Sequence, residues 1–283
     1  MRATKLSYCA AELRRHDRDR YLTALFAPAD RREALFTLYA FNLEVARSRE
    51  LVREPMMGRF RLQWWRDAIA ELYAGRVRRH QILEPLAAAV AGFGLTRDHF
   101  DRLIDAREWD MEDRPPADLD GLIAYADGTS ASLVWLALQI LDADGASPAI
   151  AEIGRAVGIA WALTGLLRAA PFHARARRVY LPQELMDHAG MTPHDMFELR
   201  SSAPVAEAVG EVVKSARRHL DASRLGRHAV PRRLLPALLP ATLAEGYLNR
   251  IERACFDVFH PSVQEAAPGR TWRLALAVAL GRY

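Results

Sequence analysis

Apolar residues in this chain recur at three- and four-residue steps in segment after segment, and no stretch shows the every-second-residue alternation of a half-buried strand. A helical period sustained over the whole length leaves few architectures open, because each apolar face must be covered by another helix. Gly158 to Arg168 shows the pattern best. Ile159, Leu163, Leu166 and Leu167 keep the period, and Ala and Gly between them permit close helix approach. Pro171 should break or kink this helix.

The same reading predicts a helix from Pro28 and Asp30 to about Arg53, and one from Gly58 to Gly75 anchored by Phe60, Trp64, Ile69, Leu72 and Tyr73. Further helices are expected over Gln81 to Ala91, then after a Thr96 cap with Phe100, Leu103 and Ile104 on one side, and over Asp118 to Ala126 and Thr129 to Leu141. Later ones cover Pro204 to Leu225, Ala241 to Val258 and Thr271 to Leu280. With 283 residues, 51% of them hydrophobic, the chain can bury one large core. We read a single all-α domain over residues 1–283, of ten or more helices around a central cavity.

Net charge is +4, and the only lysines are Lys5 and Lys214, so the basic side is almost wholly arginine. Acids are interspersed with it, which fits a mixed-sign solvated surface; no zinc-finger spacing or aromatic RNA-binding motif supports a nucleic-acid partner. Cys9 and Cys255 form no CxxC pair and read as reduced structural thiols. The first twenty residues lack the apolar stretch of a secretory signal, and Glu12, Asp17 and Asp19 argue against a transit peptide. A cytosolic bacterial protein or a mature organellar one is expected, with no transmembrane helix. Thr271 to Tyr283 sets Trp272, Leu274, Leu276, Val278 and Leu280 between Arg270, Arg273 and Arg282. It reads as a packed terminal helix, with peripheral membrane contact as the alternative.

One segment is dense in carboxylates: Asp105, Glu108, Asp110, Glu112 and Asp113, just before Pro115 and Pro116. We read it as a solvated helix end, with a metal-ligand role as the alternative.

Two frames bring a family to mind. Gly158 to Arg168 reads G-I-A-x-x-L-T-x-x-L-R, followed by R-V-Y-L-P ending at Pro182, and Leu38 to Leu51 carries Tyr39 and Phe41 in the spacing Y-x-F. Together they resemble the two signatures of the squalene/phytoene synthase family over about residues 8 to 260. The resemblance implies the isoprenoid synthase fold. In family enzymes, aspartates in both signatures hold magnesium ions that bind and ionise a prenyl diphosphate, a task suited to a hard cation with oxygen ligands.

Here those positions fall on Ala46, Arg47 and Glu50 in the first frame, and on Ala169, Phe172 and His173 in the second. Ala and Phe offer no ligand atom, Arg47 is a cation, and imidazole suits zinc or copper better than magnesium. Both frames thus look like those of a pseudoenzyme.

The stretches Ala40 to Glu44, Arg61 to Arg66, Leu167 to His173 and Val179 to Pro182 are most similar to the branch whose members assist assembly of respiratory complex I. That branch implies complex I subunits as partners, no cofactor, and a place at the inner membrane face, cytoplasmic or matrix-side. Two alternatives stand beside it: a prenyltransferase using Mg²⁺ on farnesyl or geranylgeranyl diphosphate, and an isoprenoid or lipid binder using the cavity without chemistry. The site residues singled out are Arg47, Glu50, Arg168 and His173, expected to face one cavity from the two former ligand faces. A plain ion pair of Glu50 with Arg47 or Arg168 is the alternative.

Overall fold

The computed structural model describes residues 6–52, 54–112, 114–142 and 147–283, and these contain helices and no strand. The helices are α1 (Tyr8–His16), α2 (Arg18–Ala24), α3 (Ala29–Ala46), α4 (Pro55–Tyr73), α5 (Leu83–Phe93), α6 (Arg97–Ala106), α7 (Leu119–Ala126) and α8 (Ser132–Leu141). They continue with α9 (Pro148–Arg168), α10 (Ala170–Arg175), α11 (Gln183–His188), α12 (Pro193–Phe197), α13 (Ala203–Leu225), α14 (Leu235–Leu238), α15 (Pro240–Arg253), α16 (Pro261–Gln264) and α17 (Arg270–Ala279).

The centre is α9, which packs on α13, α8 and α15 and on the turn joining α7 to α8. Its burial runs almost all the way round, as an interior helix requires: Ile150, Ile153, Val157, Ile159, Trp161, Leu163 and Leu167 are all buried. A second buried helix, α3, is covered by α1, α5 and α8, and its run Leu35 to Asn42 is buried without a break. The amphipathic α13 covers α9 through Val205, Val209, Val212, Val213, Ala216 and Leu220.

Side-chain caps start several helices. Ser7, Asp17, Asp118, Ser147 and Ser202 each accept a backbone N–H in the first turn, and Thr192 with Asp195 forms a capping box. Thr96 stands before α6 but does not cap it. Its hydroxyl accepts from Gln139 at 2.7 Å and its N–H donates back to the same amide at 3.1 Å, tying α6 to α8.

Other expectations shift. The helix from Pro28 stops at Ala46 and gives way to turns; Arg53 lies outside the described residues. The inward face of α4 is Leu62, Trp65, Ala68, Ile69 and Leu72, while Phe60 is 60% exposed and Trp64 is 38% exposed. The stretches Asp118–Ala126 and Thr129–Leu141 join into one helical run through a π-type turn at Asp127–Ala131. That run, Leu119–Leu141, and α9 are long and apolar enough to cross a bilayer, which the sequence reading did not expect. Both are mostly buried among other helices, the position of core helices in a packed domain.

The contact between α9 and the π-type turn fixes one residue type. A Cβ at Gly158 would lie 2.4 Å from the Cα of Ala131, whereas one at Gly165, two turns on, would meet nothing within 4 Å. Gly158→Ala should therefore destabilise the chain by about 1–3 kcal/mol. Gly165→Ala should stabilise it, by up to about 1 kcal/mol. Urea unfolding of the two variants checks the contrast, and equal midpoints would refute the close approach.

Candidate functional site

The polar centre of the molecule is Asp110. The α6 helix tightens into a 3₁₀ turn over Arg107–Met111, which turns this carboxylate inward until it is 5% exposed. Oδ1 accepts from the hydroxyl of Tyr125 on α7 at 2.7 Å and from that of Tyr180, after α10, at 2.8 Å. Oδ2 accepts from Arg107 Nη1 at 3.2 Å, and the same Nη1 donates to the Tyr125 oxygen at 2.7 Å. Trp109 packs edge-on against both tyrosine rings. Burial and the Asp110 charge hold both phenols protonated, well above the usual phenol range, with Arg107 and Arg178 opposing. Desolvation works against the Arg107 cation, but the oxygens of Tyr125, Asp110 and Tyr180 outweigh it and raise its pKa.

This corrects the reading of the acidic run as a solvated end. Asp105 and Glu108 do lie outside, on Arg66 at 2.8 and 2.9 Å, and Glu112 pairs with Arg114; Asp113 lies outside the described residues. Asp110 differs, and periodicity could have found it: it stands seven residues after Leu103 and ten after Phe100, on the same helical face.

Three of the four predicted site residues stand around this centre. Arg47 closes α3, and Glu50 follows in the next turn. Desolvation raises the Glu50 pKa, the guanidiniums of Arg178, Arg47 and Arg107 pull it down, and Asp110 pushes it up. Arg178, Arg107 and Asp110 also act on His173, whose ring lies 4.5 Å from that of Tyr180. Burial, with help from Arg178 and Arg107, pushes His173 down to about 4, while Asp110 opposes. Its Nδ1 is buried without a hydrogen-bond partner.

Arg168 belongs elsewhere. Its guanidinium carbon lies 3.5 Å from the Tyr247 ring centre, and its Nη1 is 3.6 Å from Asp19 Oδ2. That oxygen also accepts from the Tyr247 hydroxyl at 2.7 Å, and Oδ1 accepts from Arg270 at 2.8 Å. Arg168 is thus committed to an internal carboxylate, and the expected Glu50–Arg168 pair gives way to Asp19. Asp19, Tyr247 and Arg270 were missed because they come from distant parts of the chain, α2, α15 and α17, with no motif linking them.

The donor set does not fit a magnesium pair. Among the described residues no three His, Cys, Asp or Glu side chains stand close enough to share a cation, and the carboxylates of Glu50 and Asp110 sit among three guanidiniums. The apolar cavity between α9, α10 and α13, lined by His173, Tyr180, Leu166, Leu167, Val209 and Val212, holds about 20 Å³. That is room for about one water molecule; ligand-sized space, about 320 Å³, lies in a separate cleft lined by Trp109, Asp110, Arg177, Arg178 and Tyr180. What the arrangement offers chemically is neutral phenol donors on a satisfied carboxylate, which holds the helices in register.

The charge network predicts two behaviours. His173 and His99 are both pushed down to about 4, mainly by burial. Between about pH 6.5 and 4 the unfolded chain binds protons that the folded chain does not, so stability falls as pH falls through that window. The wild type should lose about 2 kcal/mol more than His173→Gln between pH 7 and 5, read from urea midpoints; parallel losses would refute the role. Asp19→Ala leaves Arg168 and Arg270 facing each other without a counter-ion and should cost about 3–5 kcal/mol. Thermal unfolding with Glu184→Ala, on the exterior, as control checks it.

The squalene/phytoene synthase family profile matches residues 13–273. A Bos taurus protein named NADH dehydrogenase (ubiquinone) complex I, assembly factor 6, is 33% identical over 259 residues, 91% of this chain and 77% of that protein. The presqualene diphosphate synthase of Rhodopseudomonas palustris is 29% identical over 236 residues, 82% of this chain and 81% of that protein. Among solved structures, a dehydrosqualene synthase superposes with a TM-score of 0.83 at 16% identity, covering 96% of this chain and 94% of that one. The squalene synthase of Alicyclobacillus acidocaldarius superposes with a TM-score of 0.77 at 22% identity, covering 88% and 93%. These last two likenesses carry the isoprenoid synthase fold, and the profile over nearly the whole length shows that the chain belongs to the squalene/phytoene synthase family.

Proposed function

We propose that this chain is a non-catalytic member of its family that assists assembly of respiratory complex I through protein contacts. The observation that carries the assembly role is the 33% identity to assembly factor 6 of Bos taurus across nine-tenths of the chain. The site supports the non-catalytic part. Arg47 stands where a family enzyme places a metal-binding aspartate, Ala169 and Phe172 offer no ligand atom, and Arg168 is held by Asp19. A scaffold of this kind keeps a fold while its chemistry is lost. The reading puts the chain on the membrane face where complex I is built, cytoplasmic in a bacterium and matrix-side in a mitochondrion.

A second reading, prenyl transfer, draws on the 29% identity to presqualene diphosphate synthase. It would need arginines on flexible arms to replace a fixed multi-ion clamp at a departing diphosphate.

Deleting the gene should lower NADH:quinone reductase activity of the membranes and leave the later respiratory enzymes unchanged, with recovery on complementation. Unchanged complex I activity would overturn the assembly role. Purified protein should show no rise in thermal midpoint with farnesyl or geranylgeranyl diphosphate, with or without Mg²⁺, because only a ligand selective for the native state raises it. A magnesium-dependent rise together with a condensed prenyl product would establish the enzyme. A rise without magnesium would establish the isoprenoid binder.

A further inference from the structure

The C-terminal helix α17 is apolar on two sides. On a helix, residues four apart drift by about 40°, so Trp272, Leu276 and Leu280 share one face. Leu274, Ala277 and Val278 lie on the opposite face and pack toward the body; Leu274 is fully buried. Arg270 also faces the body, on Asp19. The outer face has no such cover: Trp272 is 81% exposed, Leu276 60% and Leu280 55%.

The surround of this face is arginine. Residues 270–283 contain no Asp or Glu, and neither do residues 226–233. The second segment lies against the first, since a Cβ on Gly281 would come within 3.2 Å of Arg232 Nε. A groove of about 420 Å³ runs between α17 and the end of α13, lined by Arg224, Arg227, Arg273 and Arg282, with Glu245 as its carboxylate. Glu245 is taken by Arg224 at 3.0 Å. Among the described residues, Arg227, Arg232, Arg273 and Arg282 have no carboxylate within ion-pair distance.

We propose that α17 and this groove dock on an anionic lipid bilayer. Trp272, Leu276 and Leu280 enter the boundary between headgroups and acyl chains, and the four unpaired arginines hold lipid phosphates. The helix packs on α15 and keeps its outer stripe exposed from Trp272 to Leu280, as a helix lying in a bilayer interface requires. The charge pattern favours lipid over a protein partner's mixed surface: a groove in which arginines outnumber its one carboxylate, Glu245, matches a sheet of phosphates, and indole suits the headgroup level. This docking does not depend on the assembly role, since it rests on the surface of α17 and the neighbouring groove.

Flotation of the full chain with vesicles tests it, using equal parts phosphatidylcholine and phosphatidylglycerol against phosphatidylcholine alone. The chain should float with the anionic vesicles and stay down with the neutral ones, and salt should release it. Arg227→Gln and Arg282→Gln should each weaken binding roughly fivefold. Trp272→Ala with Leu276→Ala should weaken it by roughly tenfold or more. These side chains are exposed, so the thermal midpoint should not move, which separates lost docking from lost folding. No flotation with anionic vesicles, or flotation unaffected by Trp272→Ala with Leu276→Ala, would overturn the proposal. So would a solution mass of two copies that falls to one in Leu276→Glu, because the face would then belong to a dimer.

Discussion

A carboxylate can be buried only when several donors reach it at once, and Asp110 meets that condition by drawing on three separate parts of the chain. Arg107 comes from its own turn, Tyr125 from α7 and Tyr180 from the segment after α10. Each hydrogen bond is also a positional constraint. Moving α7 or the 178–181 segment by even an ångström would strand a charge in the interior, a penalty larger than the worth of an ordinary contact. The helix that carries Tyr125 borders α9, as does α10, which leads to Tyr180, so this one carboxylate ties both to the central packing.

The second buried carboxylate, Asp19, solves a related problem. Arg168 sits at the end of α9 and Arg270 at the start of α17, and both would repel each other across the interior. Asp19 stands between them and takes a third bond from Tyr247. The cluster joins α2, α9, α15 and α17, so the chain's two ends are fastened through charge balance as well as apolar packing. An arginine in such a cluster is a structural counter-ion, and its charge is spent before any external anion arrives.

Much of this was legible in the sequence. The all-helical class followed from period alone, and the buried faces of α9 and α13 were placed at Ile159, Leu163, Val209 and Val212 because long helices give several turns of agreement. On α4 the adjacent Trp64 and Trp65 offered two registers, and the one through Phe60 and Trp64 was the exposed one. Pattern weighs a tryptophan the same whether its face meets a core or, as for Trp64, the Arg78 guanidinium at 5.4 Å. Thr96 had the residue type of a cap, but Gln139 competes for the hydroxyl from 43 residues away. Arg47, Glu50 and His173 were brought to one neighbourhood by the two frames. Arg168 left it for Asp19, a partner that no local spacing could supply.

The altered frames have a physical consequence for the fold itself. Facing clusters of aspartates repel one another unless a cation lies between them, so a chain that carries them depends on its metal for part of its stability. Ala46 and Ala169 remove that repulsion, and Arg47 supplies a fixed positive charge beside Glu50 in place of a diffusible one. Leu166, Leu167, Val209 and Val212 then close the neighbouring interior to about 20 Å³. Packing at that density is itself stabilising, since each apolar side chain that closes a void regains contacts with its neighbours. The space left for recognition lies away from this packed interior, in the cleft of about 320 Å³ beside Asp110 and Arg178 and on faces such as the exposed stripe of α17.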